Sequence, residues 1–368
     1  MNLRIGKFGK QETTSVVLLA TLGSGLFAVD NTTVYQNGNV VYLTSLVAML
    51  ASLLLFEALT ALMARHDAPD LSALLRRLLG RVAGGIAAIA LIGGLLLMAL
   101  LPLTQHLHAL TQYVYVDAKQ VALCLYFLPC LAVLGWLGME TIARTCRLVL
   151  PFFLVALLLA LWMGHSQYAL FRLFPFPGES AAGIARQSVS ALFRFFTPLL
   201  ALLTIGSATQ GVQNLRTAGR IGLLAGGGLA AVAQFFLGMM FQHTELQSQI
   251  APLYRFLSEV CSDTPLVRSE RMLLFVWVIA GLLVAAFYVY AAALLFAKLY
   301  GVGDIRPIAF LFSTLTVSVL LLLHYDSSET VHVLQWLFQN GWCLVVAPIL
   351  LLLPFGLFKR REAMPCDA

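Results

Sequence analysis

Long stretches of the chain carry no ionisable side chain, and this feature limits its fold more than any other. The run from Val82 to Gln105, for example, contains no Asp, Glu, Lys, Arg or His. About 20 mainly apolar residues are enough for a helix to cross the hydrocarbon of a membrane. The 368 residues are 60% hydrophobic and 11% charged, whereas soluble domains are about 25% charged. The sequence therefore excludes a soluble fold and predicts an all-α polytopic membrane protein.

Apolar runs separated by polar residues, Pro or Gly predict ten transmembrane helices in one integral membrane domain, 1–368. The predicted spans are 13–34, 39–63, 82–111, 119–137, 144–164, 188–212, 217–242, 270–299, 305–324 and 331–357. Before the third span, Asp70 or Ser72 is expected to cap a short amphipathic helix that ends at Gly80. An even number of spans places both termini on the same side of the membrane.

The distribution of Lys and Arg indicates which side this is. Of the 23 basic residues, 16 fall in loops or span ends on the side of the termini and 7 on the opposite side. Because cytoplasmic loops are enriched in Lys and Arg, both termini are predicted to be cytoplasmic. Most of the basic residues stand singly between apolar runs rather than in a patch, so no nucleic-acid partner is expected.

Two of the predicted spans contain residues that interrupt helices. The first span carries Gly23–Gly25 near its middle, and the sixth carries Pro198 followed by Gly206 and Ser207. Interrupted spans at corresponding positions of two halves are typical of transporters that bind their ligand at the bilayer midplane. We therefore predict a five-plus-five inverted repeat with broken helices 1 and 6. Close helix packing through small residues is the alternative interpretation of the glycines.

Acidic residues near spans are informative because a charge in hydrocarbon is costly unless it faces a cavity or a partner. Glu57 and Asp30 lie toward the ends of the second and first spans and are candidates for ion or proton coupling. The alternatives are that Glu57 pairs with a neighbouring arginine and that Asp30 is solvated. Glu140 and Arg144, spaced i, i+4, are predicted to form a structural clamp at the start of the fifth span.

The sequence contains no recognisable catalytic or metal-binding motif. Its seven histidines fall at span ends, where solvated side chains are expected. His106 and His108 are two residues apart, which places them on different faces of a helix and argues against a shared metal ion. Gly226–Gly228 lies inside an apolar span and predicts a close helix crossing rather than a phosphate-binding loop. We expect no enzyme activity, no cofactor and no metal.

The pattern Gly138-x-Glu140-x-x-Ala143-Arg144 followed by Pro151 resembles GerAB/GerKB-type spore germination proteins, a branch of the amino acid-polyamine-organocation (APC) superfamily. Further motifs that agree in their order are Gly9-Lys10-Gln11, Leu22-Gly23-Ser24-Gly25-Leu26-Phe27, Leu79-Gly80-Arg81, and Ser269-Glu270-Arg271 with Trp277 and Tyr288. The resemblance extends over about residues 5 to 361. It implies an APC/LeuT-like fold whose repeats are 13–164 and 188–357.

The resemblance also implies a function. The protein would be the B subunit of a nutrient germinant receptor in the inner membrane of a bacterial spore. Its ligand would be an amino acid or similar small nutrient, and its partners a multi-domain A subunit and a lipoprotein C subunit. An amino acid permease, proton-coupled or not, is the alternative. A purely structural membrane scaffold is a third class.

A ligand site is expected where the interruptions of the first and sixth spans meet. Unwound N–H groups at Gly23–Gly25 would suit a ligand carboxylate, and carbonyls near Gly206 would suit an amino group. By the resemblance, the eighth span faces the same cavity with Tyr288, whose hydroxyl needs a partner when buried. The candidate ligand-binding residues are Gly23, Ser24, Gly25, Thr197, Gly206, Ser207 and Tyr288.

Overall fold

Helices make up most of the structure, a computed structural model that describes residues 8–26, 41–115, 119–174, 181–209, 211–242, 244–245, 252–262, 270–325 and 329–358. The α-helices are α1 Lys10–Leu26, α2 Val41–Arg65, α3 Leu71–Ala109, α4 Gln120–Leu137, α5 Met139–Met163, α6 Ala181–Thr204, α7 Val212–Met240, α8 Pro252–Ser262, α9 Glu270–Tyr300, α10 Arg306–Tyr325, α11 Glu329–Asn340 and α12 Trp342–Phe358. Among the described residues, β-structure is limited to a single parallel bridge between Phe8 and Thr209.

Most of the predicted spans coincide with a long apolar helix of the structure. In the described part, nine helical segments are long and apolar enough to cross a membrane, namely α2 to α7, α9, α10 and the segment formed by α11 and α12. The first predicted span, 13–34, is represented by the 17 residues of α1, and its remainder lies outside the described residues. The all-α polytopic membrane fold is therefore confirmed.

The start of α3 follows from local capping. Asp70 has extended backbone angles, and its carboxylate accepts a hydrogen bond from the backbone N–H of Ala73 at 2.9 Å. Gly80 has φ of +79°, a left-handed conformation that suits glycine, and it kinks the helix. The apolar side chains before this kink, Leu71, Leu74, Leu75 and Leu78, are buried. The short amphipathic helix expected before the third span is thus present.

Helix packing repeats between the two halves of the chain. Contacts between α1 and α7 correspond to contacts between α2 and α6, and contacts between α5 and α9 correspond to contacts between α3 and α12. Three further contacts, α3 with α9, α2 with α7 and α4 with α10, each join helices at the same position of the two halves. Each of them is therefore unchanged when the halves are exchanged. When the first five spans are exchanged with the last five, each of these contacts maps onto a contact that the structure contains, as is expected of a five-plus-five repeat. We propose 13–164 and 188–357 as the bounds of the two repeats.

The first helix differs from expectation at its glycines. α1 is α-helical through Gly23–Gly25 and is described as far as Leu26, so the expected unwinding at these three residues is wrong. The reason is close packing against α7, in which a Cβ added at Gly25 would lie 2.5 Å from the Cβ of Ala230. One and two turns earlier on α7, Gly226 and Gly222 likewise face α1. These small residues let the two helices approach closely, so the expected helix crossing is present at Gly226.

The interruption after the sixth span also lies elsewhere than expected. α6 runs to Thr204 with Pro198 inside it, and Gly206–Ala208 form a short 3₁₀ turn in the connection to α7. The predicted span 188–212 is therefore displaced toward the C-terminus, and its Gly-Ser pair lies beyond the helix end rather than at midspan. Gly211, with φ of +97°, allows the chain to turn into α7.

Candidate functional site

A small cavity lies inside the bundle between α1, α3, α5 and α9. Its described lining consists of Leu19, Gly23, Ser24, Pro102, Phe153, Ala280, Gly281 and Val284. The cavity leaves about 10 Å³ for the centre of a water-sized sphere, which is roughly the room that one water molecule needs. Apart from the hydroxyl of Ser24, the side chains in this lining are apolar.

Two of the predicted site residues meet at this cavity. The Oγ of Ser24 on α1 and the phenolic oxygen of Tyr288 on α9 are 3.1 Å apart, and either atom can donate. Both side chains are buried, so the pair is isolated from solvent. A buried hydroxyl pair retains donor or acceptor capacity beyond its mutual bond, because each oxygen has one hydrogen and two lone pairs. Gly23 lies beside this pair and also lines the cavity.

One face of α9 forms a wall of the cavity. Trp277, Ala280, Gly281 and Val284 follow the spacing that places residues on one side of a helix, and Tyr288 continues it. Side chains on a helix lean toward its N-terminus, so the ring of Tyr288 points back toward Val284. Trp277 is buried one turn before Ala280 and Gly281 and, like Tyr288, does not belong to the described lining.

His106 on α3 packs directly behind the cavity wall. Its imidazole occupies the space where a side chain at Gly281 would begin, and the residue is 1% exposed. The expectation that all histidines at span ends are solvated is therefore wrong for His106. The physical reason is that α3 packs along α9 at this level and Gly281 leaves room for the ring.

Gly25 and Thr197 have contacts that separate them from the hydroxyl pair. The carbonyl of Gly25 accepts a hydrogen bond from the side-chain N–H of Gln234 on α7 at 2.7 Å. The hydroxyl of Thr197 donates to the carbonyl of Phe193 one turn earlier on the same helix. Neither residue belongs to the described lining of the cavity.

Gly206 and Ser207 lie outside the cavity, in a second polar cluster. The Nζ of Lys298 donates to the Oγ of Ser207 at 3.0 Å. Lys298 follows Tyr288 by ten residues on α9, which corresponds to about 15 Å along the helix axis. The structure therefore does not bring the two predicted halves of the ligand site together.

The second cluster is built around a buried ion pair that the sequence interpretation missed. The Nζ of Lys298 lies 2.6 Å from the Oδ2 of Asp70, and their side chains are 14% and 8% exposed. Lys298 also donates to the carbonyl of Thr204 at 3.3 Å. Burial raises the pKa of Asp70, but the ammonium of Lys298, the hydroxyl of Ser72 and a backbone N–H together outweigh it and hold that pKa below its usual value.

Glu57 and Asp30 were the two candidates for ion or proton coupling, and the structure describes only the first of them. Glu57 on α2 accepts hydrogen bonds from Arg216 Nε at 2.6 Å and from Arg220 Nη2 at 2.7 Å, both on α7. This arrangement is the arginine pairing that was the alternative interpretation of Glu57. Asp30 lies outside the described residues.

The predicted pair of Glu140 and Arg144 forms, with 2.5 Å between Oε1 and Nη2. Both residues belong to the first turns of α5, and their side chains are 38% and 71% exposed. The pair therefore bridges two turns of one helix and does not clamp the preceding loop to it. Exposed pairs of this kind contribute roughly 0 to 1 kcal/mol.

No cluster of three or more His, Cys, Asp or Glu side chains able to hold a metal ion occurs within the part of the chain that the structure describes. The helix order, the repeated packing and the buried cavity beside the first helix together define a membrane protein with the LeuT-like fold.

Solved structures with a similar fold include a manganese transporter. The chain is similar to the manganese transporter of Eremococcus coleocola bound to an aromatic bis-isothiourea substituted compound, with a TM-score of 0.64 and 14% sequence identity over 97% of this chain and 81% of that chain. Two mutants of the same transporter have TM-scores of 0.64 at 14% and 15% identity, and each comparison covers 95% of this chain and 77% of the other. No curated protein matches this chain.

The family is identified by sequence. The Spore_permease profile, described as "Spore germination protein", matches residues 7–331. The chain belongs to this spore germination protein family.

Proposed function

We propose that this protein is a transporter-like subunit of a spore germinant receptor that binds an amino acid or a similar small nutrient. The binding site is the cavity between α1, α3, α5 and α9. The observation that carries the proposal is the buried hydroxyl pair of Ser24 and Tyr288 at the edge of that cavity. Membership of the spore germination family supports the biological role.

The chemistry of the cavity suits a small ligand with polar and apolar parts. The hydroxyls of Ser24 and Tyr288 can exchange their mutual hydrogen bond for bonds to an amino or carboxyl group. Phe153, Pro102 and Val284 offer apolar contact to a short side chain. Because the cavity has little free room, the ligand widens it as it enters.

The proposal includes the cellular setting of the receptor. The protein lies in the inner membrane of a bacterial spore with both termini in the cytoplasm, and a multi-domain A subunit and a lipoprotein C subunit are its partners. It acts by binding the nutrient and triggering germination, and not as an enzyme. The excess of Lys and Arg on the side of the termini supports the orientation.

An amino acid permease is the second candidate, and the transporter fold favours it. The two functions share one pocket and differ in whether the ligand crosses the membrane. Uptake of labelled amino acids into proteoliposomes, beyond that of empty liposomes, would favour the permease. Loss of germination on deletion of the gene, together with no uptake, would favour the receptor.

Replacement of the Tyr288 hydroxyl tests the site. Tyr288→Phe keeps the ring and removes the bond to Ser24, and we expect the half-saturating nutrient concentration to rise about tenfold, equivalent to about 1.4 kcal/mol. Tyr290→Phe is the matched control, since Tyr290 lies on the same helix and its hydroxyl bonds to the backbone of Met139. An unchanged nutrient response in Tyr288→Phe at equal protein level would remove the site from this cavity.

A further inference from the structure

The connection between α2 and α3 carries an excess of positive charge on the surface of the bundle. Residues 65–81 contain four arginines, all of them exposed, namely Arg65, Arg76, Arg77 and Arg81. The same stretch contains two aspartates, and one of these, Asp70, is already paired with Lys298. We call residues 65–81 the basic connection. It lies at the membrane end where α2 ends and α3 begins.

The lipid-facing surface of α2 ends in Arg65. Leu50 and Leu54 are 54% and 72% exposed, although they belong to a membrane-spanning helix. Ala61 and Arg65 continue the same face of the helix, and both are exposed. Exposed apolar side chains in a membrane span face the hydrocarbon of the bilayer. Arg65 therefore lies where the hydrocarbon ends and the phospholipid headgroups begin.

The lipid-facing surface of α3 begins directly after Arg81. Val82, Ile86 and Ile89 are 77%, 66% and 54% exposed, and their spacing places them on one face of α3. Arg81 is exposed as well, and nothing lies within 4 Å of a Cβ added at the neighbouring Gly80. The guanidinium of Arg81 is thus accessible at the edge of the second apolar surface.

Hydrogen bonds hold the basic connection against the ends of two helices. A guanidinium nitrogen of Arg77 donates to the backbone carbonyl of His66, which joins the start of α3 to the end of α2. The Nη2 of Arg76 donates to the carbonyls of Lys298 and Leu299, the last residues but two and but one of α9, at 2.7 Å each. Arg76 and Arg77 therefore have protein acceptors and fix the position of the connection.

Arg65 and Arg81 differ from these two arginines in their contacts. Neither forms an ion pair within the part of the chain that the structure describes. A guanidinium is always charged, and its planar set of N–H groups matches the oxygens of a phosphate. We infer that the basic connection binds the headgroups of anionic phospholipids, with Arg65 and Arg81 donating hydrogen bonds to the lipid phosphates.

A bilayer phospholipid fits this surface better than a free anion does. Each of the two arginines adjoins an apolar surface, so the acyl chains of a lipid contact that surface while its phosphate meets the guanidinium. Phosphatidylglycerol has a net negative charge, whereas the choline of phosphatidylcholine offsets the charge of its phosphate. Each basic residue near a membrane raises the affinity for an anionic lipid surface roughly fivefold.

Thermal unfolding of the full chain in micelles of a nonionic detergent, titrated with phosphatidylglycerol or phosphatidylcholine, tests the inference. Phosphatidylglycerol should raise the melting temperature more than phosphatidylcholine does, because a ligand of the folded state stabilises it. The double variant Arg65→Gln with Arg81→Gln should need an about tenfold or higher phosphatidylglycerol concentration for half of the effect. Arg65→Lys with Arg81→Lys keeps both charges and should stay closer to the wild type than to the glutamine variant.

Lys119→Gln with Arg186→Gln is the matched control, because it removes two exposed basic residues at the opposite end of the bundle. It should respond to phosphatidylglycerol as the wild type does, and an equal loss in this control would overturn the inference. Equal responses of the wild type to the two lipids would overturn it without the use of any variant. Inorganic phosphate should leave the melting temperature unchanged, and a rise as large as that with phosphatidylglycerol would assign the surface to a free anion instead.

Discussion

The ammonium of Lys298 and the carboxylate of Asp70, 228 positions apart in sequence, are in contact at 2.6 Å. Lys298 lies in the last turn of α9, where a cation also meets the negative end of the helix dipole. Asp70 caps the first turn of α3. The pair therefore joins the end of one helix to the start of another, and its bond to the carbonyl of Thr204 adds the end of α6.

A double-mutant cycle measures how strongly this pair holds the three helix ends together. Lys298→Met and Asp70→Asn each leave a buried charge without its partner, and each should lower the free energy of unfolding by about 3 to 5 kcal/mol. Asn is a good helix cap, so Asp70→Asn keeps the cap of α3. The double variant removes both charges and should lose less than the sum of the single losses.

Chemical denaturation in detergent micelles gives these free energies. The pair of Glu140 and Arg144 provides the control cycle, because its side chains are exposed and the coupling should stay below about 1 kcal/mol. Additive losses for Asp70 and Lys298 would show that the pair contributes no coupling to the fold.

The same pair predicts a pH dependence of stability. Because the folded state holds the pKa of Asp70 below its usual value, the unfolded chain binds the proton more readily. The stabilisation is fully present above the unfolded pKa of about 4 and is lost as the pH falls through the lower folded pKa. The melting temperature of the wild type should thus fall more steeply below pH 4 than that of Asp70→Asn. Asp67→Asn, which alters an exposed carboxylate nearby, should retain the steep wild-type slope.

The sequence predicts the helices of this fold better than its site, for physical reasons. Membrane spans leave a strong local signal, because about 20 mainly apolar residues must follow one another in sequence. The cap at Asp70 and the kink at Gly80 are also local. The pair of Asp70 and Lys298 joins residues far apart in sequence, so no spacing reveals it. Gly25 shows the same limit. A glycine in a membrane helix can serve close packing or unwinding, and the position of the neighbouring helix determines which of the two occurs.

The contacts of Trp277 and His106 were beyond sequence reasoning for a similar reason. Both residues lie near span ends, where a polar aromatic side chain is commonly at the interface. Their burial depends on how α9 packs against α3 and α5, which no periodicity within one helix specifies. The absence of a side chain at Gly281 could have indicated a close approach on α9, but not which residue approaches.

The orientation in the membrane gives a third prediction. In a variant from which the native cysteines have been removed, Lys119→Cys should react with an impermeant thiol reagent added outside right-side-out vesicles. A cysteine at Arg144, whose side chain is 71% exposed at the opposite end of the bundle, should react only after the membrane is permeabilised. The reason is that Arg144 belongs to the larger set of basic residues, which the distribution of Lys and Arg predicts to be cytoplasmic. Labelling of Arg144→Cys without permeabilisation would show that the protein has the opposite orientation.

Substitution of Gly25 tests whether this residue serves helix packing or ligand binding. A methyl group on Gly25 would lie 2.5 Å from the Cβ of Ala230 and 3.3 Å from the ring of Phe195. Overpacking of this kind destabilises by about 1 to 3 kcal/mol, so Gly25→Ala should lower the free energy of unfolding by that amount. Gly228→Ala is the matched control in α7, because nothing lies within 4 Å of the added methyl, and it should be neutral or slightly stabilising.

The double variant Gly25→Ala with Ala230→Gly moves the methyl group from α7 to α1 and should recover most of the stability lost in Gly25→Ala. Nutrient response, measured at matched protein level, should follow this recovery, because packing of α1 against α7 holds Ser24 at the cavity. If Gly25→Ala instead remained as stable as the wild type and lost its nutrient response, the backbone at Gly25 would contact the ligand and the packing interpretation would be wrong.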